Sequence, residues 1–437
     1  MPETLTMEGH VASSTSMARR ATIASTLGAA LEWIDFTAYG AVAATVFPKL
    51  FFTSMDPNMG ILAAFVTFGV GFFARPLGGL FFGMLGDRIG RKNILLYTLS
   101  LMGLASFLIG CLPSYSTIGF AAPLFLVALR FLQGFALGGE ATGAQLMTME
   151  HAPQNRRGLY GSFINVGSSL SAALASAMLF GLTSALGQEQ FQVWGWRVPF
   201  LLSFILVIVG VYIRLRVSET PAFKQAHEAG TEARVPLIEA FRQYPGTILR
   251  LLIIWCAPTA CFYVITVFTL SYLTKNLGLH SQTAFLCLMA ANVLAVLTMV
   301  GGGALSDKIG RKPTMLIASV LTLIVALSYF ALLDTKNWLL IFVAMAAFVG
   351  SLQIQSGVQP AFFAEPFPTR VRYSGSAAAY AGANLLMGGP TPFIAAWLLQ
   401  RSGGQTWVIT AFCVVVIGAS LIAIIASPET RNLDIKR

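Results

Sequence analysis

Apolar runs long enough to cross a lipid bilayer recur from one end of this sequence to the other, and they constrain its fold more than any other feature. Residues 409–426 form an eighteen-residue stretch without a charged side chain, and 120–129 lies in another. The hydrocarbon core of a bilayer is about 30 Å thick and takes roughly 20 helical residues to cross. Backbone N–H and C=O groups there have no water to bond, so such runs become helices. One run could be an anchor; runs repeated over 437 residues make lipid the solvent of the whole chain. Composition agrees. Hydrophobic residues are 56% and charged residues only 11%, whereas a soluble globule carries roughly a quarter charged.

Polar, glycine and proline punctuation divides the chain into twelve candidate spans, at 21–52, 61–85, 93–112, 118–150, 158–185, 195–216, 247–276, 281–305, 314–333, 338–365, 374–400 and 405–427. The charged, helix-compatible segment 218–246 is the natural linker between a front half (21–217) and a rear half (247–427), with tails at 1–20 and 428–437. The front tail lacks the pattern of a cleaved signal peptide, so the first span reads as an anchor. Of the 28 Lys and Arg, 21 fall in the tails and alternate loops, five in the opposite loops, and two, Arg75 and Arg130, inside spans. Basic residues near span ends stay cytoplasmic, which predicts that both termini are cytoplasmic. The net charge of +10 is dispersed over these loops rather than gathered on a soluble module, so nucleic acid is not an expected partner. Five cysteines, Cys111, Cys256, Cys261, Cys287 and Cys413, lie in apolar runs without metal-ligand spacing and read as buried thiols.

The halves repeat. Gly86-Asp87-Arg88-Ile89-Gly90-Arg91-Lys92 returns as Ser306-Asp307-Lys308-Ile309-Gly310-Arg311-Lys312, and Glu150, Pro153 and Arg157 return as Glu365, Pro368 and Arg372. Repeats on one side of the membrane need an even number of spans in each half, which selects parallel repeats about an axis along the membrane normal. That is a transporter architecture.

The loop Gly86–Lys92 and its weaker copy Ser306–Lys312 resemble the signature of the major facilitator superfamily. Within it, Glu32-Trp33-Ile34-Asp35-Phe36, Arg75-Pro76-Leu77-Gly78-Gly79, Arg130-Phe131-Leu132-Gln133-Gly134 with Gly138-Gly139-Glu140, Trp194-Gly195-Trp196-Arg197-Val198-Pro199-Phe200 and Arg372-Tyr373-Ser374-Gly375 resemble the metabolite:proton symporter family. Ala141 and Asn165 depart from it, standing where an aromatic and a glutamine are common. The resemblance implies an all-α membrane protein of twelve transmembrane helices in two pseudo-symmetric six-helix bundles. It also implies a carrier of small organic acids or of zwitterions such as proline and betaine.

A charge at mid-membrane costs at least about 2.5–3.5 kcal/mol on insertion scales, so each is a functional candidate. Glu32, Asp35, Arg75, Arg130 and Glu140 qualify, all in the front half. Glu32, Asp35 and Tyr39 share one helical face; Arg130, Gln133, Leu137 and Glu140 share another. Asp35 paired with Arg130 would keep both charged, and a proton could discharge the carboxylate and release the arginine. Asp35, Glu32, Arg130 and Glu140 are therefore the proton-coupling candidates. A guanidinium offers a carboxylate a planar fork, which makes Arg75 the leading substrate ligand, with Tyr39 and Gln133 beside it. The resemblance adds Arg197, which otherwise reads as an interfacial arginine. Tyr263, Gln359, Tyr380 and Asn384, with Gln353 and Gln355, are the uncharged groups able to complete the site from the rear half. Asp87, Arg88, Arg91, Asp307 and Arg311 read as gates: an aspartate can cap a helix N-terminus and pair with arginine in one orientation only. Their other reading is as orientation signals.

The sequence contains neither a nucleophile–base grouping nor a phosphate-binding G-x-x-x-x-G-K-[ST] loop. The expectation is a monomeric, cofactor-free secondary transporter of the bacterial cytoplasmic membrane, not an enzyme, importing a small organic acid with protons by alternating access. A carrier of a zwitterionic osmolyte or amino-acid derivative, or an organic-acid exporter, is the alternative.

Overall fold

The computed structural model describes residues 33–89, 91–138, 152–215, 236–431 and 433. Helices make up nearly all of it, and no strand occurs among the described residues. In the front half they are α1 (33–45), α2 (Pro57–Ile89), α3 (Arg91–Cys111), α4 (Ala121–Gly138), α5 (Arg157–Val193) and α6 (Val198–Leu215). A short helix, α7 (Pro236–Gln243), precedes the rear half. That half comprises α8 (Pro245–Tyr263, continued as helix to Asn276), α9 (Ser281–Ile309), α10 (Arg311–Asp334), α11 (Trp338–Ala364), the pair α12 (Thr369–Ala383) and α13 (Pro390–Arg401), and α14 (Trp407–Ile425). Each expected span has its helix, α12 and α13 together forming the eleventh.

Eight of the described helices are long and apolar enough to cross a membrane. The third and sixth spans give shorter apolar stretches, Leu96–Cys111 and Gly195–Ile205. Gly187, at φ 75°, is not helical and divides α5 in two, so the fifth span ends beside its expected boundary at 185 and a second helical piece continues to Val193. Side chains as apolar as Leu297, Val415 and Ile422 are each 70% exposed, as expected of a surface that meets lipid.

Where lipid solvates the outside, close helix approach depends on small residues. A side chain at Gly134 would collide with the Gly71 carbonyl, one at Gly138 with the Arg75 carbonyl, and one at Gly78 with the Phe135 carbonyl. Glycine on both helices thus lets α2 and α4 touch backbone to backbone. Gly134 and Gly138 stand one turn apart on α4, and Gly78 makes a tighter contact from α2 than Gly79 does.

Prolines cost hydrogen bonds that neighbouring helices restore. Pro258 has no N–H for the Ile254 carbonyl, and Ser420 of α14 donates to that oxygen at 2.8 Å. Pro360 likewise frees the Ser356 carbonyl, which accepts from Asn165 Nδ2 of α5, in the other half, at 2.8 Å. Ahead of Pro390 the eleventh span loosens into a π-turn, Asn384–Gly388.

The halves meet on two flanks. On one, α5 packs along α9 and α11, with Ser281 donating to Gln188 at 2.7 Å near one end and Asp307 reaching α5 at the other. On the second flank α2 meets α13 and the π-turn. There a side chain at Gly69 would fall 3.3 Å from the Gly389 carbonyl, and Gln400 Nε2 donates to the Asn58 carbonyl at 3.0 Å. The core between these flanks is aromatic and continuous across both halves.

Candidate substrate and proton site

α1 brings Asp35, Phe36 and Tyr39 inward, at 4%, 2% and 0% exposure. The Asp35 carboxylate accepts a short hydrogen bond from the Ser203 hydroxyl of α6, and Ser106 of α3 also serves it. Ser106 in turn accepts from Gln133 Nε2 at 2.7 Å, and Gln133 Oε1 accepts from Arg130 Nη1. Ser106 and Gln133 therefore lie between Asp35 and Arg130, which do not make the direct ion pair expected. The expectation fails because the Arg130 guanidinium is held on rings instead, 4.0 Å from the Tyr39 centroid and 4.1 Å from that of Phe36. A side chain at Gly71 would fall 2.9 Å from Arg130 Nε, so that glycine leaves the arginine its place. Gln133, expected beside the substrate, belongs to this relay.

Arg75 lies on the same aromatic cluster, its guanidinium carbon 4.3 Å from the Phe36 centroid, 4.5 Å from Phe72 and 5.4 Å from Trp33. From the rear half, Tyr263 packs on Phe68 and Phe72 with centroids 5.5 and 5.3 Å away, and its hydroxyl shares the electrostatic field of Arg75 and Arg130. Tyr380 shares that of Arg75, and Asn384 donates to the Tyr380 carbonyl at 2.9 Å. Tyr39 donates to Thr67 at 2.7 Å. Tyr263 and Tyr380 of the rear half thus lie within electrostatic reach of Arg75, Asn384 is held on the Tyr380 carbonyl, and Tyr39 lies against Arg130. Trp33, Phe36, Thr37 and Phe68 line a cleft there opposite Phe262, Tyr263, Thr266 and Val267. The free cavity among them is only about 10 Å³, roughly the space of a single water, so the site is nearly shut.

Two expected ligands stand elsewhere. Arg197 donates to the Val193 carbonyl at 2.8 Å and the Leu112 carbonyl at 3.1 Å. Those oxygens end α5 and follow α3, where helix C-termini attract cations; the arginine fastens helix ends and does not join Arg75. Gln359 accepts from Asn165 at 3.1 Å between α11 and α5, and Gln353 donates to Ser169 at 2.8 Å on the same seam. Glu32 and Glu140 lie outside the described residues. Cys111 is exposed, contrary to its reading as a buried thiol, while the other four cysteines are buried.

At the far end of α5, Asp307 accepts from the backbone N–H of Gly158 at 2.9 Å and of Leu159 at 2.8 Å. Arg311 binds Asp307 at 2.6 Å and Glu365 at 3.1 Å. Glu429 and Thr430, read from sequence only as tail, complete this cluster. Glu429 accepts from the N–H groups of Arg311 and Lys312 at 2.9 and 3.0 Å, and Thr430 donates to Glu365 at 2.6 Å. The motif glycine, Gly310, adopts φ 109°, a backbone conformation that side chains disfavour. Asp87 and Arg88 fall at the end of α2 and Arg91 at the start of α3; their side chains lie outside the description.

Comparison with known proteins agrees with this architecture. The description Major Facilitator Superfamily matches residues 26–389. The chain belongs to that superfamily. It is 40% identical to the shikimate transporter of Escherichia coli (strain K12) over 396 residues, 90% of each chain. It is 36% identical to the proline/betaine transporter of the same organism over 428 residues, 96% of this chain and 85% of the relative. Among solved structures, the D-xylose-proton symporter superposes with a TM-score of 0.73 at 18% identity, covering 94% of this chain and 98% of that one; this is a likeness of fold. The protein is a multi-pass membrane transporter that needs no cofactor, and not an enzyme.

Proposed function

We propose that this transporter imports a small organic acid together with protons across the bacterial cytoplasmic membrane, both termini facing the cytoplasm, and works as a monomer by alternating access. The observation that carries the reading is the pair of guanidiniums, Arg75 and Arg130, seated on the aromatic cluster whose Phe36 and Phe68 also line the central cleft. A carboxylate is the natural guest of a planar cation. A quaternary ammonium would need those same ring faces, which Arg75 and Arg130 already cover. That favours an acid over a betaine-like zwitterion.

Arg75 takes the carboxylate, with Tyr263, Tyr380 and Asn384 closing on the solute from the rear half. Asp35, bonded to Ser203 and with Ser106 and Gln133 between it and Arg130, takes the proton, with Glu32 and Glu140 as further carriers. Asp307 and Arg311, with Asp87, Arg88 and Arg91 as their counterparts, hold the cytoplasmic side closed in one orientation. One coupled charge crossing 100 mV gains about 2.3 kcal/mol, enough for roughly 40-fold accumulation at 1.4 kcal/mol per factor of ten.

The test is uptake into vesicles of the reconstituted protein under an imposed proton gradient, with shikimate and betaine as probes. Gradient-driven shikimate uptake that collapses with an uncoupler is expected. Betaine uptake without shikimate uptake would favour the zwitterion reading, and dependence on sodium instead of protons would overturn the coupling.

A further inference from the structure

Among the described residues, Phe36 is the one ring that both arginines touch. Arg75 stands 4.3 Å and Arg130 4.1 Å from its centroid. The three residues come from three helices: Arg75 from α2, Arg130 from α4 and the ring from α1. Phe36 is 2% exposed and fixed by an edge contact to Phe72 at 4.9 Å and a tilted contact to Phe68 at 5.3 Å. It also lines the cleft, and its chain neighbour is Asp35.

A ring face attracts a cation through its quadrupole, but two cations that share a ring also repel each other, and the fields of Arg75 and Arg130 do oppose. The hold of each on the ring therefore depends on the other. We propose that Phe36 is the positioning residue through which Arg75 and Arg130 are energetically coupled, so that an anion at Arg75 changes how Arg130 is held beside the Asp35 relay. The proposal rests on the reading of Arg75 as the substrate arginine and Asp35 as the proton carrier.

The sequence of events follows from the charges. A carboxylate on Arg75 screens its repulsion of Arg130, and Arg130 settles more firmly on the ring that α1 presents. Linkage is reciprocal, so any event that seats Arg130 on Phe36 strengthens anion binding at Arg75. Tyr39, Asp35 and Tyr263 also share the field of Arg130, and Tyr263 and Tyr380 that of Arg75. Tyr39 and Phe68 contact Arg130, and Trp33 and Phe72 contact Arg75, so losing Phe36 removes the shared ring while leaving each arginine other aromatic contacts.

A mutant cycle without any solute tests this on the purified full-length protein. The melting-temperature shifts of Arg75→Gln, Arg130→Gln and the double variant are measured in the parent, Phe36→Tyr and Phe36→Leu backgrounds. The two shifts should be non-additive by several degrees in the parent and in Phe36→Tyr, and markedly less so in Phe36→Leu, where only the through-space repulsion of the two cations remains. Additive shifts in the parent, or undiminished non-additivity in Phe36→Leu, would overturn the proposal. If Phe36→Leu does not fold, Phe36→Met fills the volume without a ring and the same outcomes apply. In vesicles with shikimate as probe, Phe36→Leu should lower gradient-driven accumulation relative to counterflow at least tenfold, and Phe36→Tyr should restore that ratio. An unchanged ratio in Phe36→Leu would also overturn it. Absence of shikimate counterflow in the parent would count against the substrate reading alone, because the thermal cycle involves no solute.

Discussion

Replacing Asp307 by Asn tests whether the rear loop motif is a gate. Asp307 uses both carboxylate oxygens on the first turn of α5, accepting from Gly158 at 2.9 Å and Leu159 at 2.8 Å. Asparagine turns one acceptor into a donor facing an N–H, losing a charge-assisted bond of about 1.5–3 kcal/mol. It also loses a charge at a helix N-terminus, about 0.3–1 kcal/mol. The total, about 2–4 kcal/mol, is removed only from states in which the ends of α5 and α9 meet, and it shifts the equilibrium toward separated ends roughly 30- to 700-fold. Spin labels at Asn155 and Lys308, both exposed, report that separation by pulsed dipolar spectroscopy in a Cys111→Ser background. The parent should give a dominant short distance and Asp307→Asn a longer one. An identical distance distribution in the variant would refute the gating argument and leave the motif as an orientation signal.

Arg75→Lys should raise the KM for shikimate about tenfold or more while kcat changes little, since an ammonium cannot reproduce the bidentate fork; initial-rate uptake decides it. Arg197→Lys should lower the melting temperature by a few degrees and leave that KM unaltered, because its guanidinium holds two helix-end carbonyls; a raised KM would return it to the site. Gly134→Val should cost at least about 1–3 kcal/mol, read as loss of monodisperse protein on size exclusion, because a side chain there meets the Gly71 backbone. Gly181→Ala, with open space around it, is the neutral control.

Fold and site were legible in the sequence to different depths. Span number and the two halves follow from apolar run lengths, which lipid makes nearly sufficient; that glycines bring α2 against α4 does not follow from residue size alone. Arg75, Arg130 and Asp35 could be chosen because a mid-membrane charge is costly enough to stand out. Ser106 and Ser203 could not, since serines are common in spans and nothing in their spacing marks the two that meet Asp35. Arg197 had two readings, substrate ligand or interfacial arginine, because residue type alone does not tell whether a guanidinium faces a cleft or a helix end; its bonds to two helix-end carbonyls match the second. The bond from Asn165 to the carbonyl freed by Pro360 had half a signal: a proline inside a span announces an orphan oxygen four residues earlier, but not which helix will satisfy it. Thr430 and Glu429 were passed over as tail because their partners, Glu365 and the start of α10, are distant in sequence.

The central claim is that the buried front-half cluster exchanges a proton for solute recognition, and Asp35→Asn addresses it most directly. In vesicles carrying a pH dye, addition of shikimate to the parent should drive protons inward with the solute. In Asp35→Asn that proton movement and concentrative uptake should vanish while shikimate counterflow persists. Solute-driven proton entry at the parental rate in Asp35→Asn would contradict the account.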